Sequence, residues 1–364
     1  MEPVTLRQLN RWTLARQHLL ARTALTPEAA VGALAGMQAQ APSAPYIGLW
    51  SRLAGFQVEQ LEAALRERAV VKTTVMRGTL HLVAATRLAA YRQATGSSYY
   101  DGTRRLMDGL GIDVDAVRAA VVARVAERPR SRTEVFRLVA GQIPEPHPAW
   151  LAERPSAVAA LSVSTDLVNA PGNAAFGAVG QSSYEVMLTD PPSPLDAARL
   201  VAGDYLAAYG PATTADLASW SGRPARDFAA ALATLDLVRF RGEDGRTLLD
   251  LAGAPRPPDE TPAPVRFLPV WDSLLLAQAR RQRVLADEHR RLVIAPNGDV
   301  APTFLVGGLV AGTWAVPPRA APATLTLRPL VPLSAADRRA VAAEGRHLVA
   351  WLRPDTARAP VVWA

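Results

Sequence analysis

The stretch Ala69–Val83, "AVVKTTVMRGTLHLV", decides how the fold is read. Apolar and β-branched residues flank Arg77-Gly78, which gives two short strands around a turn. Helical patterns lead up to it. Val4 to Leu20 has apolar positions at near-helical spacing, and Thr26-Pro27-Glu28 sets a capping residue before a first-turn proline and acid, starting a helix over Pro27 to Met37. Pro45 to Leu53 and Gln57 to Arg66 read as two more. Several short helices followed by a hairpin is the pattern of a winged helix.

The pattern returns twice. "RSRTEVFRLVAG" carries Ser131 and Glu134 at capping-box spacing, after a helix over Val114 to Ala126 and before a helix near Trp150 to Leu161 and strand-like "LSVSTDLVNA". Farther on, Asp196 to Tyr209 is helical, "ATTADLASWSG" is a capped short helix, Ala225 to Leu235 is another, and "LVRFRGEDGRTLLDL" reads as strand, turn and strand. These are repeats of structural kind, with little residue identity between them. From Val265 the chain turns strand-rich, with Asn297-Gly298 as a tight-turn signal between strands, and Ser334 to Leu352 closes it as an amphipathic helix. "GAPRPPDETPAP" and "PEPHP" read as linkers. The expectation is an α+β, predominantly helical fold, with winged helices over residues 1–100, 101–190 and 191–260 and a β-rich segment with its closing helix over 261–364.

The 364 residues are 49% hydrophobic and 20% charged, an ordinary globular composition. Cysteine is absent, which removes disulfides, thiolate nucleophiles and thiolate metal sites. No basic start followed by an apolar core opens the chain, so the cytoplasm is the default location. The uncharged run Val300 to Pro318 contains three prolines and a central Gly307-Gly308, which break a helix but suit a hairpin of two buried strands; no membrane partner is expected. Net charge is +7 and Lys72 is the sole lysine. Arginine excess fits a polyanionic partner, and fits equally a GC-rich genome.

No cofactor or metal is expected. The histidines His18, His81, His147, His289 and His347 form no ligand motif with a carboxylate, and Walker, G-x-G-x-x-G and G-x-S-x-G patterns are missing. What remains is "LAGMQAQAPSAPY", Leu34 to Tyr46, where Gln38 and Gln40 stand two residues apart as an apolar helix gives way to a proline-rich turn. In extended backbone both amides face one side. They either satisfy free carbonyls at the helix end or hold a water molecule. Amides do no acid–base work near neutral pH, so a site built on them suits a reaction whose leaving group needs no proton. Loss of a cationic N7-alkylated purine from its sugar is one such reaction.

"RQHLLAR", "GMQAQAPSAPYIGLWSRL" and "VVKTTVMRGTLHLV", with the distal "FLPVWDSLLLAQ" and "GDVAPTFLVGGLVAGTW", carry a resemblance to the AlkZ-type winged-helix DNA glycosylases, over about residues 5–355. The resemblance implies three tandem winged helices in a C-shaped arrangement. It also implies that Gln38 and Gln40, matching the family's Gln-x-Gln motif, place the hydrolytic water. The implied substrates are bulky N7-alkylguanine adducts in double-stranded DNA, with interstrand crosslinks of a DNA-alkylating natural product among them, as in self-resistance. The leading expectation is a monofunctional enzyme that acts as a monomer, although Lys72 keeps Schiff-base chemistry in question.

Further residues each have two readings. Arg77, Thr79 and His81, on or beside the first hairpin, either contact phosphate and sugar or are an exposed turn arginine and a half-buried strand histidine. Trp271 and Asp272 either meet the same cleft or begin the helix at Ser273, with Asp272 as its N-cap. Arg280, Arg281 and Arg283 are either a phosphate-contact patch or a solvated helix end. Trp12, Trp50, Trp220 and Trp314 are expected in the core, and Gly307-Gly308 or Asn297-Gly298 is a candidate turn for a DNA groove. Two non-enzymatic readings compete: a winged-helix transcriptional regulator, with recognition helices in major grooves and the two glutamines as caps, and a protein that sequesters free toxin.

Overall fold

The computed structural model describes residues 1–96, 104–105, 107–143, 166–180, 182–317, 323–354 and 359–364. The expected helix near Trp150 to Leu161, the start of "LSVSTDLVNA" and the "PEPHP" linker lie outside the described residues.

The fold is α+β and predominantly helical, with four small sheets among the described residues. Strand β1 (Glu2–Val4) leads into helix α1 (Leu6–Arg16), whose N-cap Thr5 forms a capping box with Gln8. Helix α2 (Pro27–Ala33) follows, capped by Thr26. It stops four residues short of the expected end because Ala35 and Gly36 are left-handed, at φ 54° and 85°. A Cβ on Gly36 would come within 3.2 Å of the Leu82 carbonyl oxygen, so glycine lets the chain swing tightly into the sheet. There Met37–Gln38 forms the two-residue strand β2. Helices α3 (Ala44–Arg52) and α4 (Val58–Arg66) then lead to β3 (Val70–Thr74) and β4 (Leu80–Ala84). The first sheet runs β2-β4-β3, antiparallel throughout, with Gln38 opposite His81 and His81 opposite Thr73.

Helix α5 (Leu88–Thr95) comes next, then α6 (Val114–Ala126), strand β5 (Arg130–Ser131) and α7 (Arg132–Ala140), whose capping box pairs Ser131 with Glu134 as the spacing predicts. Strands β6 (Leu167–Asn169) and β7 (Ser183–Val186) complete the order β5-β7-β6. The long helix α8 (Pro194–Tyr209), the capped α9 (Thr214–Ser221) and α10 (Ala229–Ala233) precede the hairpin of β8 (Leu237–Gly242) and β9 (Thr247–Leu251). β1 joins this third sheet, parallel to β8, so the first residues of the chain belong to a sheet more than two hundred positions away. Val4, Leu9 and Trp12 pack there on Phe240 and Leu248.

The last sheet has the order β10-β11-β12-β13-β14, from Arg266–Leu268, Thr303–Val306, Leu309–Ala315, Leu325–Pro329 and Val361–Trp363. The apolar run is the expected hairpin, β11 and β12 around Gly307-Gly308, and no helix among the described residues is long and apolar enough to cross a membrane. Within this strand-rich part "RRLV" is helical, Arg290–Val293, directly after the 3-10 turn Asp287–His289. Asn297-Gly298 therefore turns only a single bridge, Ile294 to Val300. α11 (Ser273–Leu276), α12 (Arg290–Val293) and the closing α13 (Ala335–Leu352) complete the helices that position the site.

The apolar cores explain why these pieces are not beads on a string. Val75, Met76, Val83 and Tyr91 of the first hairpin and α5 pack with Val201, Tyr205, Leu217 and Trp220 of α8 and α9. The first and third groups of helices share one core, and the hairpin turn lies on its border. Trp12, Trp220 and Trp314 are buried and Trp50 is half-buried.

Candidate active site

Gln38 and Gln40 are both held against β4. Ala39 between them donates its amide to the Leu80 carbonyl at 2.7 Å, and Leu80 returns its own amide to Gln40 Oε1 at 3.2 Å. Gln38 Oε1 accepts from Arg77 Nη2 at 3.1 Å. Gln38 is nearly covered, whereas Gln40 is exposed. Each carbonyl oxygen keeps a second lone pair, and neither amide NH2 donates to the protein among the described contacts. Both side chains can therefore accept from and donate to a small polar molecule.

The groups around them do not titrate near neutral pH. His81 is buried, and its Nδ1 lies 2.9 Å from the Thr79 carbonyl, which can only accept; Nδ1 thus carries the proton and Nε2 faces Arg77 Nη2 at 3.5 Å. Burial first, and then the Arg77 cation, push the imidazole down to about 3. Arg77 is lowered by burial to about 10, which leaves it charged at pH 7. It also donates through Nη1 to the Trp220 carbonyl. Arg77 is not an exposed turn arginine: it turns inward, toward acceptors on three elements, Gln38 of β2, His81 of β4 and Trp220 of α9. Thr79 likewise returns its hydroxyl to the Met76 carbonyl at 3.1 Å.

Asp272 is the N-cap of α11, accepting from Leu274 N at 3.0 Å. It is also bidentate to Arg52, at 2.8 and 3.0 Å, with both side chains buried. The pairing with Arg52 fixes the Asp272 carboxylate in place beside its cap role. Trp271 is half-buried and sits at φ 52°, a strained value for a bulky residue. Trp271, Asp272 and Arg52 line a small cavity with Gln38, Met37 and Gln17. Arg52 and Gln17 gave no local signal in the sequence, because their partners are distant in the chain.

The arginines of the third expectation separate. Arg283 is buried and donates to Thr13 Oγ1, the Tyr209 carbonyl and the Pro211 carbonyl, so it is a structural clamp. Arg281 spends its Nε on the Leu275 carbonyl at 2.6 Å. Arg280 is exposed and pairs with Asp244 at 3.3 Å. With Arg290 and Arg291 these two line an open basin beside the Asn297-Gly298 turn. The charge of Arg281 adds to burial, the larger cause, in lowering the pKa of Arg77. Of the two candidate turns, Gly307-Gly308 is docked inward: its carbonyls accept from Arg11 and Asn10 of α1. Among the described residues no group of three metal-binding side chains assembles.

The DNA glycosylase AlkZ-like family model matches residues 31–351. The chain belongs to the AlkZ-like DNA glycosylase family. It is similar to an interstrand DNA cross-link repair glycosylase of Streptomyces sahachiroi, 28% identical over 335 residues, which are 85% of this chain and 87% of that relative. Its fold is that of the Streptomyces sahachiroi DNA glycosylase AlkZ, with a TM-score of 0.79 over the whole of both chains at 22% identity. In the AlkZ-like frame the matched region begins at α2, just before the Gln-Ala-Gln segment, and ends in α13.

Proposed function

We propose that this protein is a monofunctional DNA glycosylase that hydrolyses the N-glycosidic bond of bulky N7-alkylguanine adducts in double-stranded DNA, interstrand crosslinks among them. It acts as a monomer, and its chain divides into winged helices over 1–100, 101–190 and 191–260 followed by the β-rich segment 261–364. The observation that carries the chemistry is the setting of Gln38 and Gln40. Two amides stand beside a neutral histidine and an already paired carboxylate, so the site holds water without a working acid or base. An N7-alkylguanine is cationic and leaves as a neutral base, so it needs no proton. The water donates to the free lone pairs of the amide oxygens and attacks the anomeric carbon through its own lone pair, and its proton passes to solvent. The open basin where Arg280, Arg281, Arg290 and Arg291 outnumber Asp287 and Glu288 suits the phosphates of a duplex.

Monofunctional hydrolysis is supported by the place of Lys72. Lys72 pairs with Leu82, while Gln38, His81 and Thr73 pair with one another, so the lysine points from the opposite face of the sheet. Its ammonium reaches the Asn173 carbonyl at 3.3 Å. The crosslink substrate is favoured by the name of the Streptomyces sahachiroi relative.

The test is a duplex carrying N7-alkylguanine monoadducts or an interstrand crosslink, followed at enzyme excess. Free modified base and an alkali-labile abasic site, with nothing trapped by borohydride, are expected. A borohydride-trapped complex would move the reaction to an amine, and tight DNA binding with no base released would return the protein to the regulator reading.

A further inference from the structure

We infer that Arg77 is a positioning residue that fixes the amide of Gln38 from the third group of helices, through the carbonyl of Trp220; this rests on the water-holding reading of Gln38. β2 is two residues long and hydrogen-bonded on one side only, to β4, so backbone pairing constrains the Gln38 side chain little. The constraint comes from Arg77. Its Nη2 donates to Gln38 Oε1 at 3.1 Å, and turning the amide over would set NH2 against the guanidinium, donor against donor. The rotamer with Oε1 toward Arg77 is therefore selected, and the NH2 is directed away from it.

Arg77 is in turn fixed from elsewhere in the chain. It adopts φ 56°, a conformation that costs an L-residue energy, and it is kept there by three acceptors and by contact with Gly222. Gly222 is the left-handed cap of α9, and a Cβ on it would lie 2.8 Å from Arg77 Cα and 2.9 Å from Arg77 N. Trp220, whose carbonyl takes Arg77 Nη1, is itself buried in the shared core, so that acceptor does not move independently of α9. α9 thus holds the hairpin turn, the turn holds Arg77, and Arg77 holds the amide. An arginine suits the place because its planar fork presents Nη1 and Nη2 to the two oxygens in a fixed geometry, which a single rotating ammonium lacks.

The test is a cycle of single-turnover base release and DNA affinity in wild type, Arg77→Ala, Arg77→Lys, Gln38→Ala, Gln38→Asn and the double variant Arg77→Ala/Gln38→Asn. Gln38→Asn keeps an amide but draws it back from Arg77. Arg77→Ala and Arg77→Lys are expected to lower the rate by about 10- to 100-fold, the scale for residues that orient others, with little change in DNA affinity. In the Gln38→Asn background Arg77→Ala should cost no further rate. The inference is overturned if the two losses multiply, or if Arg77→Ala weakens DNA binding and leaves the saturated rate alone, which would make it a phosphate contact. Should Gln38→Asn and Gln38→Ala both release base at the wild-type rate, the water-holding reading falls and the positioning role with it; multiplied losses with slow Gln38 variants sink only the role of Arg77.

Discussion

His81 sits buried and neutral beside Arg77, and that choice of protonation state has a cost that can be measured. In the unfolded chain an imidazole takes up a proton near pH 6.5, while in the fold it resists protonation until about 3. Between those values the unfolded state binds more protons, so stability falls as the pH is lowered from about 6.5, by up to about 1.4 kcal/mol per pH unit for this group. His81→Asn should flatten that slope in urea titrations between about pH 4 and pH 7. An unaltered slope would mean that His81 is protonated in the native state. The same neutrality predicts that the single-turnover rate shows no titration from about pH 6 to pH 9, since neither glutamine ionises there.

At the scale of elements, what could be read from the sequence was what is local. The capping box at Ser131, the capped short helix α9, the proline-started α2 and the hairpin around Arg77-Gly78 are each encoded within a few residues, and each forms. The stretch read as strand-rich does hold the β11–β12 hairpin, but it opens with a helical turn, Arg290–Val293. What no local pattern could supply are the long-range ties: Arg77 to Trp220 across 143 positions, and Arg52 to Asp272 across 220. Asp272 was legible as a cap, but its arginine was not. Asp272→Ala should cost about 3–5 kcal/mol by stranding a buried guanidinium, measured by denaturant unfolding. A loss below about 1 kcal/mol would mean that water reaches Arg52. Gly222→Ala should cost about 2 kcal/mol or more, through its left-handed φ and the Arg77 backbone beside it, whereas Gly298→Ala, with nothing within 4 Å, pays only the conformational part.

For the whole molecule, a +7 chain with exposed arginines around an open basin should bind duplex DNA with strong salt dependence. Arg280→Ala and Arg291→Ala should each lower the salt slope of binding by about one and weaken lesion and undamaged DNA alike. A slope that does not change would place the phosphates elsewhere. The central claim, that two amides and a water suffice, is tested most directly by the single-turnover rate of N7-alkylguanine release at saturating enzyme for wild type, Gln38→Ala, Gln40→Ala and the double variant. Losses of about 100-fold or more are expected in the double variant, with DNA affinity kept. Release at the wild-type rate in that variant would contradict the claim.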